Sequence, residues 1–92
     1  MAADPTDPGR LLPGEQTSIT SGNLDDVKHW VTVYAELVHF KDGLLDELHT
    51  QRGRVTHDGQ PELDNDEKLL MGEAVRLKRR LAFWKERLDS YR

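Results

Sequence analysis

From Leu70 to Tyr91 the apolar residues return at alternating steps of four and three: Leu70, Ala74, Leu77, Leu81, Trp84, Leu88 and Tyr91. That spacing is a heptad seam, which lays one side chain after another along a single side of an α-helix. An earlier segment repeats it with Leu24, Val27, Val31, Tyr34, Val38, Leu45 and Leu48, interrupted only by Lys41. Two such runs commit the chain to an all-α fold. Asn23 is placed to cap the first run, and Asp25 and Asp26 follow where the helix dipole favours negative charge. Gly53 ends it. The spacing predicts helix 1 over about 24–52, a connection over 53–63 containing Gly53, Gly59 and Pro61, and helix 2 over about 64–91. Asp64 and Glu67 open helix 2 as a variant of the capping box. Two helices of matched length on a short connection pack antiparallel, so residues 23–92 read as a coiled-coil-like two-helix hairpin.

Helix 1 has more apolar surface than one partner helix covers. A second stripe, Trp30, Val33, Leu37, Phe40 and Leu44, runs beside the seam. Together the two stripes span an arc of about 200° at 100° per residue. This surplus predicts that two hairpins pair through the second stripe into a homodimeric four-helix bundle. The competing expectation is that the stripe receives another helical protein.

Residues 1–22 contain Pro5, Pro8, Pro13, Gly9, Gly14 and Gly22, and their apolar residues Leu11, Leu12 and Ile19 follow no helical period. They read as a disordered N-terminal tail, with Leu11 and Leu12 the candidate for a short docking motif. The first residues have neither the basic start nor the apolar run of a signal peptide. No stretch approaches the roughly 20 apolar residues needed to span a bilayer. The sequence has no cysteine, which removes disulfides and thiolate chemistry and points to a reducing, cytoplasmic setting.

The residue pattern offers little for catalysis. His29, His39, His49 and His57 are ten, ten and eight residues apart, not the three or four that a helical metal site requires. No glycine-rich phosphate loop and no paired nucleophile and base are present. The expectation is a protein without catalytic residues, cofactor or metal. The most suggestive surface is the side of helix 2 bearing Arg76, Arg79, Arg80, Phe83 and Arg87, an aromatic ring among guanidinium groups. Such a face suits an acidic protein or nucleic acid, although basic residues near a helix C-terminus also complement the dipole. The leading functional expectation is a small helical adaptor or regulator that binds protein. The alternative is a nucleic-acid-binding or transcription-associated regulator using the arginine face.

Overall fold

The computed structural model describes residues 10–91, which form three α-helices and one short 3-10 turn. Helix α1 spans Glu15–Ser21, α2 spans Leu24–Arg52, and α3 spans Gln60–Asp89. The turn His57–Gly59 leads into α3. Helices α2 and α3 pack against one another as a hairpin. Residues early in α2 meet residues late in α3: Trp30 stacks on Trp84, Lys41 pairs with Glu73, and His49 pairs with Glu67. The helices are therefore antiparallel, each about 45 Å long at 1.5 Å per residue. Lys41 interrupts the apolar seam because its ammonium reaches across to the Glu73 carboxylate while its stem stays at the interface.

The ends of α2 follow the sequence closely. The Asn23 side chain accepts a hydrogen bond from the Asp25 N–H at 2.8 Å. Gly53 is the C-cap. The start of α3 differs from the expectation. The helix begins at Gln60 rather than near Asp64, because Pro61 sits in its first turn, where a missing N–H costs nothing. Gln60 faces back and donates to the carbonyls of Arg52, the last residue of α2, and Val55, in the connection, at 2.9 and 3.0 Å, tying the start of α3 to the end of α2. Asp64 and Glu67 do not form the capping box. Both bind Arg52 across the hairpin.

The larger difference lies before residue 23. Of the segment expected to be a disordered tail, residues 1–9 lie outside the described residues. Residues 15–21 are helical, and Leu12 and Ile19 pack against the core. Helix α1 is bounded by Gly14 and Gly22, both with positive φ (86° and 64°). Glycine allows this left-handed backbone without steric cost, so the chain can enter and leave the short helix sharply. The Gly22 N–H donates to the Ser18 carbonyl, closing α1 before α2 begins.

The core consists of Val27, Trp30, Tyr34, Ala74, Leu77 and Trp84. Five of them lie toward the end of the hairpin that α1 covers, and Ala74 sits at its middle. Between Ala35 and Glu73 no residue is buried. The hairpin thus has a packed half, where three helices meet, and a thin half where, among the described residues, two helices stand alone. Deleting residues 1–22 should cost on the order of 2 kcal/mol, since apolar cover over the two tryptophans is lost. In a domain of this size that lowers Tm by about 8–16 °C. An unchanged melting curve by circular dichroism would show that α1 contributes nothing to the fold.

Candidate functional site

The residues that hold α1 in place are polar, and their centre is Glu15. Its side chain is 0% exposed, an environment where an isolated carboxylate is very costly. Four groups supply five hydrogen bonds. The Leu12 N–H donates to Oε1 at 2.9 Å and the Tyr34 hydroxyl donates to the same oxygen at 2.5 Å. Arg80 donates to Oε2 through Nε at 3.1 Å and Nη2 at 2.5 Å. The Trp84 indole N–H donates to Oε2 at 2.7 Å. Both carboxylate oxygens are fully engaged, and the one formal charge opposite is the Arg80 guanidinium.

Burial alone pushes the Glu15 carboxyl upward, but the donated hydrogen bonds from Tyr34, Arg80, Leu12 and Trp84 outweigh it. The net shift is below the ordinary value of 4.5. Tyr34 moves the other way. Burial, and then the adjacent Glu15 carboxylate, push its hydroxyl up to about 12, against the pull of Arg80. Further contacts continue the attachment. Arg87 donates to the Ile19 carbonyl at 2.5 Å, Tyr91 donates to the Gly22 carbonyl, and Ser21 donates to Asp26 at 3.3 Å.

Much of the arginine face expected on helix 2 is therefore engaged within the chain. Arg80 binds Glu15 and lies 4.5 Å from the Phe83 ring centroid. Arg87 binds α1 and lies 5.8 Å from the Trp84 ring. Phe83 packs edge-on against Trp84. Arg76 is buried, with Nε and Nη1 lacking hydrogen-bond partners. Of the five residues, Arg79 alone is exposed. The apolar stripe on helix 1 is also divided. Trp30 belongs to the core, beneath the backbone at Gly14, and Val33 and Leu37 pack against that core. Phe40 is 58% exposed, and Leu44 is half-buried. Of the predicted stripe, Trp30 lies against the backbone at Gly14 that leads into α1.

Leu44 lines a groove of about 410 Å³ in the thin half of the hairpin, together with Glu47, Leu48, Gln51, Asp66, Leu69 and Leu70. Sequence reasoning assigned Leu48 and Leu70 to the seam and did not single out Leu69, which is 55% exposed. The wall is apolar, with Glu47 and Asp66 as its charged members, and neither has an ion-pair partner among the described residues. The histidines are dispersed: His29 meets the edge of Trp30 and His49 pairs with Glu67. Among the described residues no group of three or more acidic or histidine side chains is placed to hold a metal ion. No described helix is long and apolar enough to cross a membrane. Comparison with protein-family models, curated proteins and solved structures finds no match to the chain.

Two outcomes follow from the Glu15 network. Glu15→Gln removes the charge that compensates Arg80 and should cost up to about 2 kcal/mol in urea unfolding, the ceiling set by release of α1. A loss below about 1 kcal/mol would refute the role given to the carboxylate. The pH dependence has a sign on each side. Glu15 has a lowered folded value, so its stabilisation is complete above 4.5 and is lost as the pH falls below it. Tyr34 has a raised value, so its contribution is complete below 10 and is lost as the pH rises toward 12. Urea midpoints measured across both ranges should fall at each end, with the acid limb flattened in Glu15→Gln and the alkaline limb in Tyr34→Phe.

Proposed function

We propose that this chain is a non-catalytic protein-interaction module and that the groove at the turn end of the hairpin is its docking surface. The observation that carries the reading is the contrast between the two halves of one hairpin. In the half covered by α1 the tryptophans are buried, whereas Leu44, Leu48 and Leu70 remain half-buried and Phe40 and Leu69 are exposed. A contiguous apolar concavity rimmed by polar residues is the usual mark of a binding surface. Its floor is two parallel-sided helices, a shape that receives a third helix.

Self-association into a four-helix bundle is one form of this proposal, with Phe40 and Leu44 as the members of the predicted stripe that are still open. The nucleic-acid alternative has less support, because Arg80 and Arg87 hold α1 and Arg76 is buried. Among the described residues Lys68, Arg79 and Lys85 are the exposed cations of α3 without an ion pair.

A photo-crosslinking amino acid placed at Leu69, compared with one at Arg79, tests the assignment in the cells that make the protein. Protein crosslinks at position 69 that disappear on Leu48→Glu are the expected result. Crosslinks to nucleic acid at position 79, with none at 69, would overturn the reading.

A further inference from the structure

The groove and the α1 berth are the same face of the hairpin, read two heptads apart. Leu44 and Leu48 lie fourteen residues after Trp30 and Tyr34. Asp66, Leu69 and Leu70 lie fourteen residues before Arg80, Phe83 and Trp84. Fourteen residues are about 21 Å along a helix, and the side chains return to nearly the same side. The upper position already shows how this face binds a helix. Helix α1 presents Glu15 and Ile19, one helical turn apart, with the carboxylate held by Arg80, while Leu12 adds its apolar contact from the non-helical segment before Gly14.

In the lower position the aliphatic walls are kept and the charge is reversed. Asp66 stands where the upper position has Arg80, and Glu47 stands where it has Val33. We propose that the groove takes a basic amphipathic helix of a partner protein. Its pattern is a lysine or arginine with an apolar residue four positions later, the spacing of Glu15 and Ile19 in α1, and a second apolar residue one turn before the cation, to cover the ground that Leu12 covers above. This rests on the interaction-module reading and adds the chemistry of the partner. The cation of the incoming helix meets Asp66 and Glu47, as Glu15 meets Arg80. A second copy of this chain fits less well. A two-fold contact of groove on groove sets Glu47 and Asp66 against their own counterparts, and like charges repel.

The experiment uses the full chain and two stapled helical peptides, Leu-x-x-Lys-x-x-x-Ile and Leu-x-x-Glu-x-x-x-Ile, with alanine and glutamine elsewhere. Fluorescence anisotropy at low salt should give about 10-fold tighter binding of the lysine peptide, shrinking as salt is added. Leu48→Glu should abolish that binding. Asp66→Arg, on an exposed site, should invert the preference, and Asp66→Asn should reduce it, with circular dichroism confirming an intact fold. Equal affinity for both peptides would overturn the basic partner while leaving the groove as a docking surface. Binding of neither would overturn the docking surface as well. Sedimentation of the chain alone as a dimer, dissociated by Leu48→Glu, would give the groove to a second copy and overturn the proposal.

Discussion

A single buried carboxylate organises this molecule. Glu15 joins three separate parts of the chain: the segment before α1 through the Leu12 N–H, α2 through Tyr34, and α3 through Arg80 and Trp84. Placing a charge in the interior is unfavourable unless every lone pair is used. Here the use is complete, and the consequence is specificity. Apolar packing alone allows α1 to slide or turn along the face of the hairpin. A carboxylate that must meet a hydroxyl, a guanidinium and an indole at once allows one position.

The division of the hairpin follows from that attachment. Helix α1 covers the face over Trp30 and Trp84 and supplies apolar contact through Leu12 and Ile19. Seven residues are too few to reach the turn, and no described residue outside the hairpin covers the matching face around Leu48 and Leu70. At the turn end, ion pairs take over from apolar burial. Arg52 bridges Asp64 and Glu67, and His49 pairs with Glu67 at 3.1 Å. Such exposed pairs contribute little each, but they hold register where the core is absent.

The hairpin was legible in the sequence because 3.5-residue spacing has one physical meaning, and Asn23 and Gly53 marked the ends of α2 with residues chosen by backbone geometry. Helix α1 was not legible for the opposite reason. Its inward positions are Glu15, Ser18 and Ile19, and a glutamate in that company reads as surface until its partners are known. Those partners, Arg80 and Trp84, lie more than sixty residues away. Gly14 and Gly22 suggested flexibility, whereas they form the two bends that let α1 fold back. The same blindness affected the site. The surplus apolar arc on α2 was real, but nothing local divided it into a part packed against the core and an open part.

The placement of the core also bears on the order in which the molecule assembles. The residues nearest the turn are close in sequence, so bringing them together costs little chain entropy, yet they bury little. The contacts that bury most, such as Trp30 on Trp84 and Glu15 on Arg80, close loops of more than fifty residues. The entropic cost of closing such loops must be met before the reward arrives. On the ribosome, the proximal helices have no place to dock until the arginines and tryptophan of α3 have emerged. Until then α1 has no berth, and Glu15 is an ordinary solvated acid.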